Sequence, residues 1–286
     1  MVAARPGGTI ADKPSLMHTV TVEDMESNLV TQTRVVVDAR AADRFRGENE
    51  TIDPVGGHIP GAKVGADGKF HGRHPLPERA ALIATLRGWG IDDDTQVVAY
   101  DAHGGMFAAR LWWLLRWVGH PAVAVLDGGL AAWQSQGLPL VTMVVTRSGG
   151  TIADKPSLAH TVTVDDVESN LVTQTRVVVD ARAADRFRGE NETIDPVGGH
   201  IPGAKNRFFK DNLTPDGRFK DAEQLKREFS PLFAAAPQAI MQCGSGVTAC
   251  HNLLALEIAG LPGAALYPGS WSEWCSDPAR PVATGG

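Results

Sequence analysis

Short apolar runs alternate with helix-like segments along much of the chain. RVVVDA at 176–181 is a continuous β-branched run, which is typical of a strand buried on both faces. Residues 221–233 have the spacing of an amphipathic helix. A second helical face follows Thr248, where apolar side chains recur at Cys250, Leu253, Leu254, Ile258 and Leu261. Because strands that alternate with helices form parallel sheets covered on both sides, we predict an α/β fold.

An internal repeat divides the chain into two similar halves. Residues 8–63 recur as 150–205, shifted by 142 positions, and only three of the 56 positions differ. Beyond the repeat the two sequences diverge abruptly. This pattern indicates that the first half of a C-terminal domain was copied into the N-terminal domain, either naturally or by design.

The two halves still correspond where their sequences diverge. Strand-like QVVAY at Gln96–Tyr100 matches AIMQ at 239–242, which places Asp101 opposite Cys243. A Ser- and Gly-containing stretch before residue 150 is typical of a linker. We therefore predict two parallel-sheet domains of like fold, at 1–143 and 151–286, joined by a linker at 144–150.

Composition excludes several classes of protein. The 286 residues are 43% hydrophobic and 21% charged with a net charge of −6, which is inconsistent with a disordered or collagen-like chain and gives no basic stripe for nucleic acid. Charged residues interrupt the apolar stretch at 106–126, and the first residues lack the apolar core of a secretory signal. Three cysteines give neither a disulfide framework nor a C-x-x-C zinc pair. We expect a soluble cytoplasmic protein without a metal or cofactor.

The segment CGSGVTAC, which begins at Cys243, has the features of an anion-binding loop. It follows a predicted buried strand, Gly244 and Gly246 allow the backbone to turn, and a helix begins near Thr248. Ligands of open α/β sheets bind at this edge. A helix amino terminus stabilises an anion by about 0.3–2 kcal/mol, and each amide hydrogen bond to a charged group adds about 1.5–3 kcal/mol. The loop therefore suits a reactive thiolate, with a buried structural cysteine as the alternative.

Two other anion-binding loops are disfavoured by the sequence. A tyrosine-phosphatase-like loop needs an arginine six residues after the cysteine to hold phosphate, and that position is Ala249. A nucleotide-binding P-loop needs Gly-Lys-Ser/Thr, which the segment lacks.

Two further motifs accompany this loop. HIPGA at 200–204 and ALYPGSWSEW at 265–274, together with the cysteine loop, resemble the signatures of the tandem rhodanese family of sulfurtransferases. The resemblance implies two rhodanese-like domains, of which only the C-terminal one is active. Asp101 in the place of the cysteine fits an inactive first domain, because a carboxylate cannot carry a persulfide.

The resemblance also implies a reaction. CGSGVTA is similar to the loops of 3-mercaptopyruvate sulfurtransferases, whereas thiosulfate-preferring relatives carry Arg and Lys where Gly244 and Ser245 stand. Cys243 is then expected to take sulfur from 3-mercaptopyruvate as a persulfide and pass it to cyanide or to a thiol, such as a small thiol or thioredoxin. Thiosulfate:cyanide transfer and an inactive binding or regulatory module are the alternatives.

Individual site residues follow from the resemblance alone. Ser245 is expected to handle protons at the donor, together with His74 from the first domain and Asp67 as the acid partner of that histidine. A solvent-exposed loop histidine is the alternative for His74. Gly244, Gly246, Val247 and Thr248 are expected to line the donor site.

The arginine that holds the donor carboxylate is expected to be Arg186, with a surface arginine as the alternative. The family often has a second arginine shortly afterwards, but ENETIDP has none, so Arg188 or Arg207 is expected to substitute. Cys250 is expected to be a core cysteine and Cys275 to be exposed. Asp180, Arg182 and His200 are expected to be structural, and Arg40, Arg44 and His58 of the first half are expected to have no function.

Overall fold

The computed structural model describes residues 18–48, 56–63, 76–144, 148–234 and 236–286. We call the described residues up to 144 the N-terminal half and those from 148 the C-terminal half. Each half contains one parallel β-sheet flanked by helices, so the predicted α/β fold with two like domains is confirmed.

The sheet of the N-terminal half has four strands in the order β1-β4-β3-β2. Its strands are β1 (Thr19–Val20), β2 (Arg34–Asp38), β3 (Gln96–Tyr100) and β4 (Val123–Leu126). Its helices are α1 (Val22–Glu26), α2 (Asn28–Thr31), α3 (Ala42–Arg46), α4 (Arg79–Gly88), α5 (Ala108–Trp117) and α6 (Gly129–Ser135).

The sheet of the C-terminal half has five strands in the order β5-β9-β8-β6-β7. Its strands are β5 (His160–Thr161), β6 (Arg176–Asp180), β7 (Lys205–Asn206), β8 (Gln238–Gln242) and β9 (Ala265–Leu266). Its helices are α7 (Val164–Thr173), α8 (Ala184–Arg188), α9 (Ala222–Phe229), α10 (Ala249–Ile258) and α11 (Ser270–Trp274). Short 3₁₀ helices occupy Phe209–Asn212 and Ser230–Phe233.

The β-branched run of β6 forms an internal strand, between β8 and β7, and both of its faces are buried. In β6, Val177 and Val179 belong to one hydrophobic cluster, whereas Val178 between them belongs to another on the opposite side of the sheet. The first of these clusters extends into the N-terminal half, where it includes Trp112 and Leu115 of α5. The two halves therefore share a continuous apolar core, in which α5 packs against α10.

The two copies of the repeat begin their helices in the same way. Thr163 caps α7, with its hydroxyl accepting from the backbone N–H of Asp166 while the Asp166 carboxylate accepts from the N–H of Thr163. This is the reciprocal arrangement of a capping box, and Thr21 and Asp24 repeat it at α1. The aspartate thus performs the role that glutamate usually has.

The last residue of the predicted linker and the residues that follow it lie along the N-terminal half. The backbone N–H of Gly150 donates to the carbonyl of Arg87 at 2.7 Å, and that of Ile152 donates to Ile91 at 3.0 Å. The Ile152 side chain is buried in the shared core, and Asp154 forms an ion pair with Arg79. This segment therefore contributes to holding the two halves in a fixed arrangement. Within the described ranges, no helix is long and apolar enough to cross a membrane.

Candidate active site

A pocket of about 360 Å³ opens beside the cysteine loop, between the two halves. The C-terminal half supplies most of its wall, from the cysteine loop, α8 and the segments that follow β6 and β7. The N-terminal half contributes Met106 and Phe107, which precede α5. Because both halves line it, the pocket depends on their relative arrangement.

Cys243 lies at the carboxyl end of β8 and lines this pocket, although its residue surface is only 2% exposed. Its carbonyl accepts from the backbone N–H of Trp271 at 3.0 Å, and the carbonyl of Gly244 accepts from Ser272 at 2.9 Å. Gly246 has a φ of 74°, and a Cβ at this position would come within 2.6 Å of the Pro268 carbonyl oxygen. The loop can therefore adopt this conformation because residue 246 is glycine.

Ser270 connects the second family-like motif to the cysteine. Its Oγ accepts from the backbone N–H of Cys243 at 3.1 Å and donates to the carbonyl of Tyr267 at 2.8 Å. Ser270 is fully buried and has a φ of 54°, in the left-handed region that non-glycine residues seldom occupy. A residue in a strained conformation persists where the surrounding contacts hold it in place. Here the two hydrogen bonds of Ser270 hold it against the backbone of Cys243.

The predicted loop residues gather around the pocket. Gly244, Ser245, Val247 and Thr248 line it, while Gly246 supports the turn behind them. The helix α10 begins directly after Thr248, so the positive end of its dipole lies at the loop. An anionic ligand beside the loop would therefore be stabilised by the amino terminus of the helix.

The corresponding loop of the N-terminal half shows how such a turn holds an anion. One Asp101 oxygen accepts backbone N–H groups from His103 and Gly105 at 2.7 and 2.9 Å. The other accepts from Phe107 and Ala108 at 2.8 and 2.9 Å. The carboxylate is fully buried and receives four amide hydrogen bonds. A turn between a strand and a helix in this fold therefore provides a cradle of backbone donors for an anion.

Arg186 is the charged side chain of α8 that reaches the cysteine loop. A Cβ placed on Gly244 would lie 3.9 Å from both terminal nitrogens of its guanidinium. Nε and Nη2 donate to Glu192 at 3.1 and 2.8 Å, and Nη2 also lies 3.2 Å from Asp195. Within the described residues, Nη1 has no such partner. Arg186 therefore presents one nitrogen to a ligand and uses the other two to bind acids of its own chain.

Glu192 joins the two arginines at the pocket. Besides Arg186, it accepts from Nη1 of Arg182 at 3.3 Å and from the backbone N–H groups of Ile194 and Asp195. Burial raises the pKa of this carboxyl, but the hydrogen bonds from Arg186 and the two amides outweigh it and hold the pKa below its usual value. Glu192 is therefore an ionised group that fixes Arg186.

Arg182 and His200 have the contacts expected of structural residues. Arg182 forms a two-point ion pair with Asp180, donates to the carbonyl of Gly199 at 2.6 Å and stacks over Trp271. The Nδ1 of His200 lies 2.8 Å from the Phe187 carbonyl oxygen, and the two rings stack. Arg182 touches the pocket, but its hydrogen bonds are directed into the protein.

Two further predicted site residues, Arg188 and Arg207, do not line the pocket. Arg188 lies at the surface in an ion pair with Glu190, and Arg207 pairs with Glu228. His74 and Asp67 lie outside the described residues. Of the predicted site residues, the structure thus brings Arg186 together with the cysteine loop.

Cys250 is a fully buried neighbour of the loop. Its Sγ donates to the Gly246 carbonyl at 3.3 Å. Nη1 of Arg110, from the N-terminal half, lies 3.6 Å from the Cys250 Sγ and 3.2 Å from the Gly246 carbonyl oxygen. Burial raises the pKa of the Cys250 thiol to about 11, so the prediction of a core cysteine is confirmed. In the sequence Arg110 is one of the charged residues that interrupt the apolar stretch at 106–126, and no local signal indicates its contact with Cys250, which lies 140 residues away.

The expectation that Cys275 is exposed is wrong. Its residue surface is 6% exposed, and it packs in an apolar cluster with Trp271 and Trp274. The residue follows α11 directly, and its backbone N–H donates to the Trp271 carbonyl at 2.9 Å. The final turn of that helix therefore directs the thiol inward.

His251 also joins the two halves and was missed by sequence analysis. Its Nε2 lies 2.9 Å from the Gly104 carbonyl oxygen, and its Nδ1 faces the amide nitrogen of Asn212 at 3.2 Å. This arrangement requires hydrogen on Nε2 and a lone pair on Nδ1, which is the neutral imidazole. Burial accordingly lowers the pKa of His251 to about 4.

Metal binding finds no support in the part of the chain that the structure describes, since no group of three or more His, Cys, Asp or Glu side chains is placed to hold an ion.

Comparisons with known proteins identify the family. The Rhodanese-like domain matches residues 21–136 and again 163–277. A probable 3-mercaptopyruvate sulfurtransferase of Pseudomonas aeruginosa is 51% identical over 217 residues, which is 75% of this chain and 76% of the relative. A putative thiosulfate sulfurtransferase of Mycobacterium tuberculosis is 39% identical over 80% of this chain and 84% of its own.

A solved structure gives the same result for the fold. SseA from Escherichia coli, described as a 3-mercaptopyruvate sulfotransferase with the "Rhodanese" fold, is 31% identical and superposes with a TM-score of 0.74. The match spans 90% of this chain and 99% of SseA. With a pocket cysteine in one half and an aspartate in its place in the other, the chain belongs to the rhodanese-like family and contains two copies of the domain.

Proposed function

We propose that the protein is a sulfurtransferase that moves a sulfur atom from 3-mercaptopyruvate to cyanide or a thiol through a persulfide on Cys243. The observation that carries the proposal is the position of Cys243, at the carboxyl end of β8 and on the wall of a pocket that Arg186 also lines. Relatives named as sulfurtransferases support the reaction class.

The first half-reaction transfers sulfur to the enzyme. The Cys243 thiolate attacks the donor sulfur and forms an S–S bond, while the C–S bond of the donor breaks. The electron pair goes to the carbon, and the resulting enolate takes a proton and leaves as pyruvate. Arg186 would hold the donor carboxylate through Nη1, and Ser245 would supply the proton together with His74 and Asp67.

The second half-reaction restores the enzyme. An acceptor thiolate or cyanide attacks the outer sulfur, and the S–S bond breaks with its electron pair returning to Cys243. In this mechanism Cys243 is a thiolate at the start of the first step and again at the end of the second. The amino terminus of α10 would stabilise this thiolate at both ends of the cycle, as backbone amides stabilise the Asp101 carboxylate at the corresponding turn of the other half.

Thiosulfate is the second candidate donor, favoured by the relative named for it. Two features of this chain favour 3-mercaptopyruvate instead. The residues after Cys243 are uncharged Gly244 and Ser245, and the nearby arginine is already paired with two carboxylates.

The three cysteines are free thiols, which fits the reducing cytoplasm as the compartment and a thiol as the acceptor.

Steady-state turnover tests the proposal. With 3-mercaptopyruvate and cyanide, the protein is expected to release pyruvate and thiocyanate in equal amounts. Cys243→Ser should abolish both products, and Cys250→Ser is the matched control that should retain them. Turnover that survives Cys243→Ser would contradict the proposed nucleophile. A folded wild-type protein inactive with both donors would favour the binding-module alternative.

A further inference from the structure

A group of mostly buried charged side chains lies at one side of the pocket, and three of its members, Arg182, Arg186 and Asp195, line it. The group contains the guanidinium groups of Arg182 and Arg186 and the carboxylates of Asp180, Glu192 and Asp195. Three carboxylates and two guanidinium groups give this group one net negative charge. An anionic donor therefore meets an arginine whose positive charge is more than balanced by acids of the protein.

Asp195 is the carboxylate of this group that touches the pocket itself. One of its oxygens accepts from Ser272 Oγ at 2.6 Å, and the other lies 3.2 Å from Nη2 of Arg186. Its side chain is 7% exposed, so solvent screens its charge weakly. Both Ser272 and Arg186 also line the pocket, so the Asp195 charge lies beside the proposed donor site.

We propose that Asp195 is a specificity-determining residue that disfavours dianionic donors and thereby selects a donor with a single carboxylate charge. The proposal rests on the proposed sulfurtransferase function. Electrostatic energy scales with the charge of the ligand, so the Asp195 carboxylate opposes a dianion such as thiosulfate twice as strongly as a monoanion such as 3-mercaptopyruvate. Arg186 attracts an anionic donor, and the Asp195 carboxylate opposes this attraction more strongly for a dianion than for a monoanion.

Both donors would use the same chemistry at sulfur. With thiosulfate, the Cys243 thiolate bonds to the outer sulfur, and sulfite leaves with the electron pair of the broken S–S bond. Because the protein nucleophile and the persulfide product are identical, a change in donor preference reports on recognition of the donor rather than on persulfide formation in general.

The test is to measure kcat/KM for both donors in wild type and Asp195→Asn. We expect the ratio of thiosulfate to 3-mercaptopyruvate activity to rise about tenfold, which corresponds to about 1.4 kcal/mol. Asparagine preserves the size of the side chain and an oxygen that can accept from Ser272. Asp195→Ser is a second variant, expected to shift the ratio in the same direction.

Glu190→Gln is the matched control, because it removes one negative charge from the same loop. The Glu190 side chain is 58% exposed and pairs with Arg188 at the surface, so we expect an unchanged ratio. An equal loss of activity with both donors in Asp195→Asn and Asp195→Ser would overturn the proposal and leave Asp195 a structural role. Absence of a Cys243 persulfide in the wild type with either donor would instead contradict the proposed function.

Discussion

Replacing Asp101 by asparagine should strongly destabilise the N-terminal half. The two carboxylate oxygens accept four backbone N–H groups at distances between 2.7 and 2.9 Å, and the residue is fully buried. An asparagine oxygen can replace one carboxylate oxygen and keep two of these bonds. The asparagine NH₂ would face the other two N–H groups, donor against donor, because it has no lone pair to offer.

The magnitude follows from the number of bonds lost. Hydrogen bonds to charged groups contribute about 1.5–3 kcal/mol each, so the loss of two amounts to about 3–6 kcal/mol before the loop relaxes. Disruption of other buried charged networks costs about 3–5 kcal/mol, and we expect Asp101→Asn to lower the free energy of unfolding by a similar amount. Asp94→Asn is the control, since Asp94 is exposed and exposed substitutions change stability by about 0.5 kcal/mol or less.

Urea unfolding provides the assay, monitored both by circular dichroism and by the fluorescence of tryptophans such as Trp112 and Trp113 in α5. Two probes are needed because the two halves need not unfold in one step. The same variant should raise the KM for the donor, because the Asp101 loop carries Met106 and Phe107 to the pocket. A loss of less than about 1 kcal/mol would refute the reasoning, since that would be less than one charged hydrogen bond.

Two further predictions concern buried groups beside the site. Burial raises the pKa of the Cys250 thiol to about 11, so iodoacetamide at mildly alkaline pH should modify Cys243 in the native protein but not Cys250. In denaturant both cysteines should react. Peptide mass spectrometry measures the modification of each. The pKa of His251 is lowered to about 4, so this imidazole is neutral in the folded protein and protonated in the unfolded chain below its usual pKa. The free energy of unfolding should therefore fall as the pH drops from the usual pKa of histidine, 6.5, towards about 4, and this group contributes at most about 1.4 kcal/mol per pH unit. Urea unfolding at several pH values would show the slope, and His251→Gln should reduce it; an unchanged slope would contradict the assignment.

Local sequence signals predicted the elements that position the nucleophile. The β-branched run of β6 and the glycine turn after β8 depend on neighbours in sequence, and the structure has both. The capping box at Thr163 is also local, because its partner is only three residues away. Such features are visible in a sequence because their physical causes lie within one turn of the chain.

Features that depend on tertiary contacts could not be predicted. The placement of Arg110 beside Cys250 joins residues 140 positions apart, and no periodicity encodes it. Arg186 was predicted from the family resemblance, but its pairing with Glu192 and Asp195 requires the fold of the following loop. The inward position of Cys275 depends in the same way on how α11 packs. The roles of His74, Asp67 and Ser245 stay predictions.

The central claim is that Cys243 carries the transferred sulfur. Peptide mass spectrometry after brief exposure of the protein to 3-mercaptopyruvate or to thiosulfate, without reductant, tests it most directly. The account predicts a gain of one sulfur atom on the Cys243 peptide with 3-mercaptopyruvate, and no gain in Cys243→Ser. A gain from thiosulfate alone would contradict the donor assignment, and a folded protein that gains no sulfur from either donor would contradict the mechanism.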